Sequence, residues 1–478
     1  MRFLFSILLI LLSLTSQADT KFYSKFSPHE GAEAFEIIYK KVNKSQKYVY
    51  ATIYSWSDKG ITDSFKEALE KGIEVKIVLH PSLAKKSRIQ KVATELEALG
   101  AELKIAKMNM HEKFFLIDDN FLLNSSANMS GGAKNRYSEN FIFHSDESSE
   151  GKTLINQFKK EFAILWNSGK DIFTSNEPIA KKLPLNKLEN LPDSSEVTLL
   201  SSSMNYTIKN NKPSSKAYKL GKYYTLSRRN GVKNQTWKVR DTIIKHINNA
   251  KKNIYLSLNH FNIREISDAL IKASIRGVDV KLTVDNQEFK SKINNKEMTP
   301  QFVKDWKKID GNSKKEAPVR VKYYSHSPSP RHWLLNHHKF ILIDYDKNDY
   351  ENTTLISGSY NLSKTAEHNQ FDNMVIYKTD RNKRLYKSFR AEFLKQWSWN
   401  RDSSDKPKED ILKQFTNLKN NSSISLHAKE AVALSWSEIF KLRKSVRKIA
   451  KNLFKGLYRN KDCLYYDIKT NSFWGCPR

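Results

Sequence analysis

A His-x-Lys-x4-Asp pattern occurs twice in this chain, as "HEKFFLID" beginning at His111 and "HHKFILID" beginning at His337. Each is followed by a small-Ser-x-Asn turn, "SSAN" from Ser125 and "GSYN" from Gly358, and then by an acid, Glu139 or Asp372. The residues after each Lys are apolar, as in a buried strand. Side chains two apart on a strand share a face, so His111 points with Lys113 and His337 with Lys339. Such a set suits chemistry at phosphorus. A lysine ammonium is a point-charge donor for phosphate oxygens, while a neutral imidazole attacks phosphorus or carries a proton. Ser126, Asn128, Ser359 and Asn361 add hydroxyl and amide groups able to hold further phosphate oxygens. Glu139 or Asp372 can accept from the second ring nitrogen of a histidine and fix its tautomer. Asp118 and Asp344, at the strand ends, are expected to serve the structure by tying down a turn. Two lysines beside few carboxylates repel cations, so no metal and no other cofactor is expected.

The duplication extends to the elements that must position these residues. "VNKSQKYVYATIYSW" from Val42 matches "INNAKKNIYLSLNHF" from Ile247, and "KGIEVKIVLH" from Lys71 matches "RGVDVKLTVDN" from Arg276, both at an offset of 205. Each copy reads as helix, buried strand, amphipathic helix, glycine and strand, with the second helices over 61–70 and 265–274 and the second strands over 73–79 and 278–284. That order is βαβ. The offset widens to 226 at the His-Lys patterns and to 233 at the Ser-Asn turns, and it is 231 at the closing helices "FKKEFAILW" and "FRAEFLKQW". Changes of offset mark loop insertions, one of them after Asp344, where "YDKNDYEN" predicts an extended hairpin. The spacing thus predicts a duplicated α/β fold, with lobes over 19–170 and 236–400. Residues 171–235, richer in Pro, Ser and Asn, read as a surface connection with some strand. Trp166 and Trp397, equivalent in the closing helices, read as core.

These halves resemble the phospholipase D superfamily, whose HKD motif is HxKxxxxD followed by a Gly-Ser-x-Asn turn. The resemblance spans residues 22–398 and implies an α/β/α sandwich of two pseudo-symmetric lobes whose motifs meet in one active site. It also implies metal-independent phosphodiester cleavage in two steps through a phosphohistidine. His111 is expected to be the nucleophile and His337 the acid, with Lys113, Lys339, Glu139 and Asp372 completing the catalytic set. Ser125 stands where the family has Gly, which implies a tighter first phosphate turn. Asp372 replaces the commoner Glu, which implies a looser or water-bridged hold on His337. Two motifs in one exported chain resemble the phospholipid enzymes and imply hydrolysis of glycerophospholipid head groups to phosphatidic acid. A nonspecific endonuclease of the same superfamily is the alternative reading, and a non-catalytic polyanion-binding protein a third.

Composition agrees with a polyanionic partner. The 478 residues carry a formal charge of +31, enough chain for a large core and enough charge to favour a phospholipid or anionic membrane surface, or nucleic acid. A monomer with an internal pseudo-twofold suffices for the shared site. The chain opens with one Arg, an apolar run over 3–14 and small residues at Ser16 and Ala18, the plan of a signal peptide over 1–18. A secreted or periplasmic location is expected. Cys463 and Cys476 are then expected to form a disulfide around an aromatic loop. After residue 400 the chain reads as a basic extension over 401–478, with a capping box at Ser435 and a basic amphipathic helix behind it.

Overall fold

In a computed structural model of the protein, the structure describes residues 21–173, 179–184, 196–231, 235–285, 288, 298–323, 335–398, 432–437, 464–467 and 472–475. The expected signal peptide, both cysteines and, beyond Ser437, the basic helix expected behind Ser435 lie outside the described residues.

Local sequence accounts for the repeated elements. In the helix Lys59–Glu70 the apolar Ile61, Phe65, Ala68 and Leu69 recur at helical spacing and are buried, and the Asp58 carboxylate caps the first turn by accepting from the Ile61 N–H at 3.1 Å. Gly72, at φ +78, ends it in the left-handed conformation that glycine adopts without strain, and Gly277, at φ +89, does the same after the equivalent helix Arg264–Ile275.

Two eight-stranded sheets follow, with the same strand order. The first runs Tyr23–Ser27, Glu139–Ser145, Phe121–Ser125, Phe114–Ile117, Tyr48–Ile53, Glu74–Leu79, Glu102–Ile105 and Lys170–Asp171. The second runs Val197–Ser201, Asn373–Tyr377, Thr354–Gly358, Lys339–Ile343, Asn253–Leu258, Asp279–Asp285, Val319–Tyr323 and Val432–Ser435. Strand for strand, the duplication is complete. It also revises the lobe boundaries. Val197–Ser201, within the expected connection, is the edge strand of the second sheet, and Val432–Ser435, within the expected extension, closes its other edge. The chain turns helical directly after Ser435, at Trp436 and Ser437. Near the C-terminus, Leu464–Asp467 and Ser472–Gly475 pair as an antiparallel hairpin in which Leu464 faces Gly475, the residues just inside the two cysteines. The insertion after Asp344 joins Lys339–Ile343 to Thr354–Gly358 as a hairpin, but its length lies in the loop and not in longer strands.

Each sheet packs its outer face on its own helices, which gives two lobe-specific cores. The inner faces meet across the helices Ser149–Ser168 and Lys383–Trp397 in a shared core that includes Phe114, Phe158 and Trp166 of one lobe and Phe340, Phe389 and Phe393 of the other. Trp166 is fully buried there, and Trp397 packs partly buried at its edge. Each such ring contributes about 1.5–3 kcal/mol by leaving water, so the lobes are held as one body.

The two motif acids anchor the sheets. Asp118 accepts from the backbone N–H groups of Gln46, Lys47 and Tyr48 at 2.7, 2.8 and 3.0 Å, and Asp344 accepts from Lys251 and Lys252 at 2.9 and 2.7 Å. Both sit in the left-handed region, at φ 54 and φ 52. Asp118→Ala removes the carboxylate that accepts three backbone hydrogen bonds and adds backbone strain, so it is expected to destabilise the protein by roughly 2–4 kcal/mol. Urea unfolding measures this, and turnover of a soluble diester at low temperature should stay within about threefold of the parent. A large loss of turnover at unchanged stability would assign Asp118 to the chemistry instead.

Candidate active site

The four His and Lys side chains converge where the lobes meet. A short parallel pairing aligns Asn109–Met110 with Gln370–Phe371, and a single bridge aligns Ser138 with Asn336. The His111 N–H donates to the Phe371 carbonyl at 2.9 Å, and the His337 N–H donates to the Ser138 carbonyl at 2.9 Å. Each histidine is thereby set beside the acid of the opposite lobe. His111 Nδ1 lies 2.8 Å from Asp372 Oδ1, and His337 Nδ1 lies 2.8 Å from Glu139 Oε1 and 2.9 Å from Oε2. This corrects the same-lobe pairing of His337 with Asp372. It also corrects the loose hold expected of the shorter acid, because Asp372 reaches its imidazole directly. With both Nδ1 atoms bonded to carboxylates, Nε2 is the ring atom free for chemistry on each histidine. The two ring centroids stand 6.4 Å apart, edge to face, a spacing that accommodates one tetrahedral phosphorus between them.

The serines do other work than expected. Ser126 Oγ donates to Glu139 Oε2 at 2.6 Å and accepts from the Asn140 N–H at 2.9 Å. Ser359 Oγ donates to Asp372 Oδ1 at 2.7 Å and accepts from the Asn373 N–H at 3.0 Å. Neither hydroxyl proton is left for a phosphate, so Ser126 and Ser359 position the acids. Asn128 and Asn361 keep their side-chain carbonyl oxygens unpartnered among the described residues, and their amides are the groups of the two turns that a ligand can use. At Gly358 a Cβ would lie 2.3 Å from the Asn373 carbonyl oxygen, whereas Ser125 fits with its hydroxyl 3.2 Å from the carbonyls of Lys113 and Ala127. Lys113 and Lys339 curl back to donate to the carbonyls of His111 and His337 respectively.

Other contributors carry no motif. Gln370, two residues before Asp372 on one strand face, donates its amide to Asp372 Oδ2. Tyr54, at the end of strand Tyr48–Ile53, meets His111 edge-on at 4.8 Å between ring centroids, and the Lys113 ammonium lies 4.9 Å from the centre of its ring. The second lobe has Asn259 at the matching position, donating to the Asn336 carbonyl at 2.9 Å, so the aromatic support is one-sided. Position alone, the first residue past a strand that leads into the site, was the available signal for Tyr54.

Burial dominates the electrostatics. It holds His111 and His337 well below the usual imidazole range, with the nearby lysines adding to the effect. It pushes Lys113 down to about 7 and Lys339 down to about 8, against the attraction of Asp372 and Glu139. The same burial raises Glu139 and Asp372 to about 7, with the lysines opposing. An empty site therefore carries few net charges, and an entering phosphate anion restores the charged lysines.

The family model described as cardiolipin synthase, phospholipase D-like domain, matches residues 38–166 and again 243–397. The chain belongs to this phospholipase D-like family, whose members act on phosphodiesters. A phospholipase D of Rickettsia typhi is 26% identical over 136 residues, which cover 28% of this chain and 66% of that protein. Phosphatidylserine synthase of Haemophilus influenzae Rd KW20 shares the fold with a TM-score of 0.51 at 12% identity, over 79% of this chain and 88% of that one. Nuc of Salmonella typhimurium, a phospholipase D family member, matches at TM-score 0.29 and 19% identity over 32% of this chain and 98% of its own.

The ionisations define a pH dependence. The lysines are charged only below about 7 to 8, and the carboxylates are ionised only above about 7. We expect kcat/KM for a soluble diester to fall on both sides of a narrow maximum between these values, as groups of the free enzyme titrate. The alkaline limb of kcat should lie at higher pH, because bound phosphate stabilises both ammonium groups. A kcat/KM flat from about pH 6 to 10 would contradict this assignment.

Proposed function

We propose that this protein is an exported phosphodiesterase that hydrolyses glycerophospholipid head groups to phosphatidic acid. The observation that carries the chemistry is the pair of cross-lobe imidazole–carboxylate hydrogen bonds flanking two buried lysines. In the first step, neutral His111 Nε2 attacks phosphorus, the bond to the head-group oxygen breaks, and His337 gives its Nε2 proton to that oxygen. A second proton lies between His337 Nδ1 and Glu139, since burial raises the acid and lowers the imidazole. Phosphate charge draws it onto the imidazole. In the second step, His337 takes a proton from water as the water oxygen attacks phosphorus, the N–P bond breaks, and His111 is released. Lys113 and Lys339 offset the charge that gathers on the non-bridging oxygens. The choice of phospholipid is supported by two motifs in one chain and by the likeness to the rickettsial phospholipase D. The charge of +31 favours the second reading, a nonspecific endonuclease using the same site.

One experiment separates them. With EDTA present, the purified protein is offered phosphatidylglycerol and phosphatidylcholine vesicles, and separately plasmid DNA and single-stranded RNA. The expected result is release of phosphatidic acid, slow nucleic-acid cleavage, and loss of at least roughly a thousandfold in His337→Ala. Rapid DNA cleavage without head-group release would establish the nuclease reading, and activity restored only by an added metal would reject the lysine-based mechanism.

A further inference from the structure

The two lobes differ strongly between their first strand and first helix. In the first lobe residues 28–30 join the strand Tyr23–Ser27 to the helix Gly31–Asn43; in the second, residues 202–237 join Val197–Ser201 to Lys238–Asn249. The surrounding stretch 197–240 contains ten Lys or Arg and no Asp or Glu. In a chain that holds 51 acidic residues overall, that is a strongly one-sided segment.

The insertion folds against the body of the protein. Tyr206–Asn210 and Tyr224–Arg228 pair antiparallel, and Tyr206, Tyr224 and Leu226 are buried beneath them. Lys104 and Lys107 of the first lobe donate to the carbonyls of Gly221 and Leu226. The root is bonded to the active-site strand. The Ser202 N–H donates to the Asp372 carbonyl at 2.8 Å, the Asp372 N–H donates to Ser202 Oγ at 3.0 Å, and Arg228 donates to Asn369 Oδ1 at 2.8 Å. An acid-free platform is thus fixed to the backbone of Asp372, the residue that carries the catalytic carboxylate.

Its outer side has a distinct character. Lys209, Lys212, Lys216 and Lys219 are exposed, and none of the four forms an ion pair among the described residues. Met204 and Ile208 are 38% and 39% exposed, two of the few large apolar side chains in the described surface to be so open. Of the aromatic rings of the insertion, Tyr206, Tyr223 and Tyr224 are buried and Tyr218 and Trp237 half-buried, so none is fully exposed. Single-stranded nucleic acid is gripped by exposed rings that stack on bases, which this surface does not offer. Exposed aliphatic side chains among lysines fit the boundary between lipid head groups and acyl chains.

Resting on the phospholipid reading, we propose that the insertion 202–231 docks the enzyme on an anionic phospholipid bilayer, with the lysines on the head groups and Met204 and Ile208 entering the interface. Docking there presents the bilayer to the strand that carries Asp372, so surface binding and head-group cleavage occur on one side of the molecule.

The test uses the full chain and two variants, neither touching the catalytic set. One carries Lys209→Glu, Lys212→Glu, Lys216→Glu and Lys219→Glu; the other carries Met204→Ser and Ile208→Ser. Binding is read by sedimentation with mixed phosphatidylglycerol and phosphatidylcholine vesicles, and with duplex DNA. Hydrolysis of bis(p-nitrophenyl) phosphate by each variant, expected within about twofold of the parent, verifies the fold. We expect the lysine variant to bind vesicles at least about a hundredfold more weakly, and the apolar variant about tenfold more weakly with unchanged DNA affinity. Parental vesicle affinity in the lysine variant overturns the proposal. Loss confined to DNA also overturns it and reassigns the surface to nucleic acid. Vesicle binding is scored apart from turnover: a parent that docks through this surface yet releases no head group defeats the functional reading and leaves the docking surface standing.

Discussion

Two hydrogen bonds that cross between lobes, His111 to Asp372 and His337 to Glu139, set the terms for the rest of the structure. An imidazole bonded to an acid of its own lobe could work alone, and two such lobes would make two weak sites. Exchange of the acids makes each half incomplete. The shared core of Phe114, Phe158 and Trp166 against Phe340, Phe389 and Phe393 then has a functional task, because any slippage between lobes separates both histidines from their acids. A displacement of about 1 Å is enough to lose such a hydrogen bond's catalytic value.

Burying two lysines, two histidines and two carboxylates in one place costs stability, and the structure offsets this by arranging them to neutralise one another. Lys113 and Lys339 are lowered and Glu139 and Asp372 raised, so the empty site holds charge only weakly. A similar accommodation lies behind the catalytic residues, and there the two lobes differ. His338, between His337 and Lys339, lies 3.3 Å from Glu392, whereas Glu112, between His111 and Lys113, neighbours a second acid, Glu161. Burial and Glu161 hold the Glu112 carboxyl well above its usual range, while Glu161 accepts from Ser201 and Ser203. The pseudo-twofold is therefore a symmetry of backbone, broken in its charges.

Much of this was legible in the sequence because the relevant signals are local. The helices predicted over 61–70 and 265–274 are found at Lys59–Glu70 and Arg264–Ile275, since apolar periodicity and a following glycine are written in consecutive residues. The doubled motif, for the same reason, picks out the histidines and acids that the structure brings together where the lobes meet. Three features were not legible. Val197–Ser201 sits in a stretch that reads as a connection with some strand, without a signal for which sheet it joins, and Val432–Ser435 is too short to show a period; only pairing with a sheet defines them. The exchange of acids depends on which strand ends abut, through His111 on Phe371 and His337 on Ser138, which linear order does not encode. Ser126 and Ser359 look like phosphate ligands until Glu139 and Asp372 are seen to take their protons.

The exchange of acids is the claim on which the single shared site stands, and nitrogen-15 spectra of the histidine side chains test it most directly. In Asp372→Asn, His111 loses its carboxylate, so the Nδ1 and Nε2 resonances of His111 should move while those of His337 hold their positions; Glu139→Gln should do the reverse. Movement of His337 in Asp372→Asn, with His111 unchanged, would contradict the cross-lobe pairing and restore two self-contained lobes.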